Sequence, residues 1–405
     1  MNSRKIIFLL YLPILLLNLD LARAQEKEKS KAIHDFGLEI AGEYRYFYED
    51  ELFDGQEDHF PSIAFTPEYT LEWNAGYESI NFTGFFRMDR DKERTHWDIR
   101  ELYYQKAHRN WELSIGLKKV YWGVTESNHL VDIINQTDLV ETFDGEEKLG
   151  QPMVQYTLTT NKIGTFDFFY LPYHRKRTLP GEKGRLRFPI VIDKEDVTYE
   201  SGAEEWRQDF AIRWSHYIGA FDIGLSHFYG NGRDIYFYVD ETGSFNAQYP
   251  VISQTGLDLQ ATHNAFLWKL ESIYRTSKAQ DYFALVAGLE YTFSNIDGNG
   301  LDIGVLGEYL YDDRDELALN SMQNDVFFGS RIAFNDAQDF SILIGGIADL
   351  DYSSKLFSIE ASRRFGSSWK AELEARFFSD IDEEELILSN FKEDSFVRFT
   401  VSKFF

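Results

Sequence analysis

"DFGLEIAGEYRYFYED" runs from Asp35 to Asp50. Phe36, Leu38, Ile40, Gly42, Tyr44, Tyr46 and Tyr48 fall on one face of an extended chain. Asp35, Gly37, Glu39, Ala41, Glu43 and Arg45 fall on the other. Period-two alternation of apolar and polar residues marks a strand with one oily and one wet face. Strands of soluble proteins average about five or six residues, and one tilted across an outer membrane needs about nine to eleven. This run is of the second length.

The pattern recurs to the end of the chain. Ile63, Phe65, Tyr69, Leu71 and Trp73 alternate with Ala64, Thr66, Glu68, Thr70 and Glu72. Trp369, Ala371, Leu373, Ala375 and Phe377 alternate with Lys370, Glu372, Glu374 and Arg376. Short connections such as "YIGA", "THNA" and "GSS" take turns with long ones: 50–61, 121–152, 173–207, 230–253, 312–324 and 379–394. That is the loop pattern of an outer-membrane barrel. The expected fold is all-β: a transmembrane antiparallel β-barrel over residues 33–405, of roughly eighteen strands, with sixteen as the alternative count. Eighteen places every short turn and both termini on one side. A periplasmic sandwich or propeller is the competing architecture, but no blade-length repeat is visible.

The start of the chain agrees. Arg4 and Lys5 precede an apolar run from Ile6 to Leu19, and Ala22-Arg23-Ala24 offers a small-x-small cleavage site. Residues 1–24 read as a signal peptide and 25–32 as a periplasmic leader. The chain has no Cys and a formal net charge of −26. Acidity of that degree argues against nucleic acid as a partner. Aromatic residues make up 17% of the chain, and many stand near strand ends, where an outer-membrane barrel carries its aromatic girdles.

The stretch 121–152 is the exception to short, simple connections. Ser127 is placed to cap a helix, and Leu130, Ile133, Ile134 and Val140 follow with near-helical spacing, so Ser127–Glu141 is expected to form a helix of about three turns. Loops this long inside compact domains are usually functional. Two placements are open: folded into the lumen as a constriction, or packed outward as a cap. In the first, Glu126, His129, Asp132, Asn135, Asp138 and Glu141 would face wall residues Arg45, Arg87 and Arg213, giving a transverse field and, with acids in excess, a weak cation preference. In "HWDIRELYYQKA" simple alternation would send Glu101 to lipid. A bulge at Arg100-Glu101 would instead gather Asp98, Arg100 and Glu101 inside, beside the loop.

Two resemblances add to this. "SFVRFTVSKFF", ending on Phe405, resembles the C-terminal strand of Gram-negative outer-membrane barrels. It implies recognition by the barrel assembly machinery, with outer-membrane lipids and lipopolysaccharide as surroundings. "GLKKVYWGVTESNHLVDIINQTDLVE", with Trp122, Gly123, Asp132, Asn135 and Asp138, resembles a segment of outer-membrane barrel families, and the mature chain as a whole resembles porins. The resemblance implies passive passage of small hydrophilic solutes. It keeps two alternatives open: export of lipid or hydrophobic molecules together with an inner-membrane exporter, and a structural or surface-binding barrel without an open pore.

No enzyme is indicated. Ser226 and His227 are sequence neighbours on opposite strand faces and cannot act together. "NIDGNG" lacks the leading Asp and the closing Glu of a calcium loop, so no metal is expected there. His129 between Glu126 and Asp132 is the best metal candidate, but a solvated loop histidine is the commoner arrangement, and no metal or cofactor is assigned.

Overall fold

The computed structural model describes residues 31–239, 245–314 and 322–405. The signal peptide and most of the leader expected from the sequence lie outside the described residues. In chain order the strands are β1 (Ile33–Phe47), β2 (His59–Trp73), β3 (Glu78–Met88), β4 (His96–Ala107), β5 (Trp111–Lys118), β6 (Gln151–Thr160) and β7 (Gly164–Leu171). There follow β8 (Thr198–Tyr199), β9 (Asp209–Ile218), β10 (Phe221–Asn231), β11 (Tyr236–Val239), β12 (Phe245–Tyr249), β13 (Val251–His263) and β14 (Phe266–Ser277). The chain ends with β15 (Tyr282–Ile296), β16 (Leu301–Asp312), β17 (Asn324–Ala333), β18 (Ser341–Asp349), β19 (Lys355–Phe365), β20 (Trp369–Ser379) and β21 (Phe396–Phe404).

Eighteen of these strands form one antiparallel sheet, closed because β1 pairs with both β2 and β21. Closure leaves no edge, so every strand of the wall has its backbone groups paired on both sides, as a hydrocarbon environment demands. The other three, β8, β11 and β12, make a small separate sheet within two of the long connections, which the sequence pattern alone had read as loop.

The alternation has the expected outer face. Phe36, Tyr44, Phe86, Trp97, Phe210 and Trp268, among others, are exposed large apolar side chains at alternate strand positions. A soluble surface rarely collects so contiguous an apolar area. Among the described residues no helix is long and apolar enough to cross a membrane; strands do the crossing.

The inner face is not uniformly polar. In the half nearer the long loops, inward positions carry Phe169, Phe228, Ile252, Ile273 and Ala284, all buried in one cluster. Simple alternation misses this, because here an inward position meets a loop rather than water.

The last strand closes against the first. The Phe405 amide donates to the Leu38 carbonyl at 3.0 Å, while the ring is 67% exposed. Deleting Phe405 therefore removes little packing. We expect refolding in detergent to be nearly unchanged, while the amount inserted in cells falls several-fold. Equal losses in gel-shift assays of the two would assign the residue to stability instead.

Candidate functional site: a loop carried inside the barrel

After Lys118 the chain leaves the wall and does not return until Gln151. Its path is read from what it touches. The Glu126 carboxylate meets Arg331 at 2.6 Å and Lys269 at 3.6 Å. Arg331 stands two residues from the short-turn end of β17, and Lys269 three residues from that end of β14. Across the lumen on β3, Glu141 meets Arg87 at 2.8 Å, and partway round the wall on β20, Asp144 meets Arg376 at 2.5 Å. Both arginines lie close to the long-loop ends of β3 and β20. The loop thus slopes across the lumen, high on one side and deep on the other.

Two wall carboxylates hold its first turn. Glu271 on β14 accepts the amides of Val124 (2.6 Å), Thr125 (3.0 Å) and Val131 (3.1 Å) and the Thr125 hydroxyl (2.7 Å). Glu308 on β16 accepts the amides of Glu126 and Ser127, both at 2.8 Å, and the Ser127 hydroxyl. These contacts overturn the expected helix at Ser127–Glu141: the segment is turns and irregular chain. A helix of this length needs its amides for i−4 carbonyls, whereas here Val131 gives its amide to Glu271, Asp138 to the Glu147 carbonyl and Val140 to the Thr178 hydroxyl. Ile133 and Ile134, two of the residues with helical spacing, instead pack together with Val131 against Phe228, Ile252, Ile273 and Ala284, and Leu130 lies against the same cluster.

The strand before the loop is bulged. β3 pairs Thr83 with Glu101 and Gly84 with Ile99, leaving Arg100 as the extra residue. Gly150, at the loop's exit, sits so close that a Cβ there would lie 2.0 Å from the Arg100 carbonyl oxygen. The bulge turns Leu102 outward and gathers Asp98, Arg100 and Glu101 at the loop. Asp98 binds Arg175 at 2.7 Å, Arg100 binds Asp138 at 2.5 Å, and Glu101 accepts the Lys119 amide at 3.1 Å.

No known protein family matches the sequence, and no curated protein does. Solved structures do match. A BenF-like porin from Pseudomonas fluorescens superposes with a TM-score of 0.54 over 93% of this chain and 98% of its own, at 11% identity. OccK8 (OprE) of Pseudomonas aeruginosa gives 0.52 over 92% and 98%, also at 11% identity. Wzi, an Escherichia coli outer-membrane protein involved in group 1 capsule assembly and described as a carbohydrate-binding β-barrel, gives 0.52 over 91% and 84%, at 9% identity. The chain has the fold of an outer-membrane porin.

Within that porin fold the sequence-derived candidates separate into three groups and one lone residue. Asp138, Glu141, Asp98, Arg100, Glu101, Arg45 and Arg87 come together where the loop meets β1, β3 and β4. Arg45 donates to the Glu141 carbonyl at 3.0 Å. Glu126 and His129 lie on the deep side. Asp132 and Asn135 brace the loop itself: Asp132 accepts the amides of Trp122 and Gly123 and pairs with Lys148, and Asn135 bonds the backbone of Lys118, Val120 and Leu149. Arg213 stands apart, paired with Asp258 at 2.6 Å, its guanidinium facing the Trp122 ring.

Three consequences follow for the expected field. The loop acids are not ranged against distant bases across open water. Asp138 and Glu141 touch Arg100, Arg87 and, at 3.8 Å, Arg94 in buried pairs. Burial opposes the charge on Asp138, yet the adjacent His96 ring, the charge of Arg100 and a hydrogen bond from Thr178 hold its carboxyl well below the usual range. Neutralising Asp132, Asp138 and Glu141 would thus strand buried arginines and free the loop, changing volume as well as field.

Sequence reasoning missed Glu271, Glu308, Arg94 and Arg398. The signal was present for three of them, because alternation in β14, β16 and β21 turns Glu271, Glu308 and Arg398 inward. Their significance depended on what they would meet. The carboxylates beside the His129 ring are Glu146 at 3.1 Å and Glu271 at 3.7 Å, rather than the Glu126 and Asp132 of the sequence reading. Among the described residues no group of three His, Cys, Asp or Glu converges as a metal site.

His129 makes the loop sensitive to alkali. Burial lowers its pKa, but the adjoining carboxylates of Glu146 and Glu271 outweigh that and raise it from 6.5 to about 10. A raised histidine contributes stability that is complete below the unfolded value and is lost as pH rises through the folded one. The loop should therefore loosen as pH passes about 10, seen as added current noise. His129→Gln should abolish that transition; a transition of unchanged midpoint in the variant would assign it to another group.

Proposed function

We propose that the protein is an outer-membrane channel for passive passage of small solutes, narrowed by the loop between Lys118 and Gln151, with a weak preference for cations. The observation that carries this reading is the span of the loop: Glu126 bonds Arg331 deep on one wall while Glu141 bonds Arg87 near the rim of the other. The lumen of an eighteen-strand barrel is too wide for wall side chains alone to narrow it, so an inserted loop sets the resistance.

The cation preference rests on the half nearer the short turns. There alternation turns Glu39, Glu68, Glu72 and Asp222 toward the lumen, together with Glu290 and Glu372, which meet Lys269 at 4.0 Å and Lys370 at 2.6 Å, so these carboxylates exceed their basic partners. Fixed negative charge along a narrow aqueous path concentrates cations.

Planar-bilayer recording of the purified protein tests both parts. Steady ohmic steps are expected, with a reversal potential in a KCl gradient displaced toward the potassium equilibrium potential. An inserted barrel with no conductance would remove the channel reading. It would favour a closed, surface-binding barrel, for which the filled outer half of the lumen and the likeness in fold to Wzi are the supporting observations.

A further inference from the structure

On the long-loop side of the crossing loop there is a cavity of about 550 Å³. Its wall is built from inward positions of β17–β20, among them Phe327, Leu343, Ile347, Leu356 and Phe378. The crossing loop supplies Leu139 and Phe143. The connections 172–208 and 380–395 close over it with Phe188 and Phe391. Four of the rings meet edge-on or tilted: Phe143 with Phe378 at 5.9 Å and with Phe391 at 5.3 Å, and Phe188 with Phe391 at 5.7 Å. A porin lumen filled with water has no use for this lining. The inward positions here would cost less as polar residues, as they are elsewhere on the wall.

The charged side chains that border the cavity are already committed. Arg376 is held by Asp144 (2.5 Å), Glu360 (2.7 Å) and Glu374 (3.0 Å). Arg177 is held by Asp234 at 3.0 Å and by the Gln136 side chain at 3.0 Å. Arg187 donates to the carbonyls of Glu182 and Phe188. Glu126 and His129 are paired as described above. Among the described residues, the border thus offers no carboxylate outside an ion pair, and Arg187, its one guanidinium without a carboxylate partner, is held by backbone carbonyls.

We infer that this cavity is a binding site for an uncharged, largely apolar organic molecule of aromatic or comparable compact shape. Its volume lies in the range of roughly 300–1,000 Å³ typical of small-molecule sites. Cavities lined by Leu, Ile and Phe exclude water and take up apolar molecules. Ring edges and faces at these separations suit an aromatic guest by the same offset and edge-to-face contacts they make with one another. The inference goes beyond the channel reading and does not rest on it. The site is formed whether or not ions pass beneath it.

The test is equilibrium dialysis of radiolabelled naphthalene against the full mature chain in lipid nanodiscs, with empty nanodiscs subtracted. Saturable uptake above the lipid background is expected. Leu343→Asn on the wall and Leu139→Asn on the loop should each weaken it by about tenfold, and naphthalene-2-sulfonate should bind at least as much more weakly. Should Leu343→Asn fail to show the heat-dependent gel shift of a folded barrel, Leu139→Asn decides, because the loop is outside the wall. Uptake equal to empty discs would overturn the site. So would saturable binding that both folded variants retain, and equal binding of the sulfonate would overturn the uncharged class. Binding without conductance would remove the channel and leave the site; conductance without binding would do the reverse.

Discussion

Replacing Val124–Lys148 with a tight turn should raise single-channel conductance several-fold and relax charge selectivity. The loop crosses the lumen from Arg87 to Arg331, and its removal takes away that crossing. A cost in stability is expected at the same time. Val131, Ile133 and Ile134 are almost fully buried against the wall, and losing their burial costs on the order of 5–9 kcal/mol at roughly 1.5–3 kcal/mol per side chain. The wall residues they cover, Phe228, Ile252 and Ile273, would then face water. The variant should thus conduct more and unfold at a lower temperature in the gel-shift assay. Unchanged conductance in a barrel shown to be inserted would rule out the constriction.

Glu271→Ala is the single substitution with the largest expected effect. One carboxylate there accepts three amides and one hydroxyl from the loop. Hydrogen bonds to a charged group contribute about 1.5–3 kcal/mol each, so the first turn of the loop loses its principal attachment on that wall. The barrel itself should persist, because the backbone pairing of β14 with β13 and β15 does not involve the side chain. The expected record is a larger mean current with frequent brief closures, and new protease cleavage between Val124 and Val131. A quiet record of wild-type amplitude would show that Glu308 and the Glu141 anchor suffice to hold the loop.

The two results bear on each other. Deletion tests whether the loop limits flow, and Glu271→Ala tests whether the wall carboxylate keeps it in place. A loop that limits flow but stays put without Glu271 would move the emphasis to the ionic cluster of Arg87, Arg94, Glu43 and Glu141. There Glu43 meets Arg94 at 2.8 Å and Arg87 at 3.1 Å in nearly solvent-free surroundings. Breaking one partner of such a cluster is costly, because the remaining charge is left buried and unpaired.

The sequence alone determined the barrel. Strand length, alternation and the parity of long and short connections are local properties, and each is visible in runs such as Asp35–Asp50 without knowing any partner. The bulge at Arg100 was legible for the same reason: a glutamate in phase with Trp97 and Ile99 conflicts with lipid, and one extra residue removes the conflict. What only the tertiary structure decided is everything that depends on the loop's partners. Ser127–Glu141 has helical spacing in isolation, yet carboxylates more than a hundred residues away take the Ser127 and Val131 amides, and the inner wall takes its apolar side chains. Asp132 and Asn135 look like pore acids and amides in sequence but fold back on their own loop. The apolar cavity had no sequence signal, since an inward Leu or Phe reads as an error of alternation until a loop is seen to cover it. Local periodicity records which solvent a strand face meets; it holds no record of which distant segment displaces that solvent.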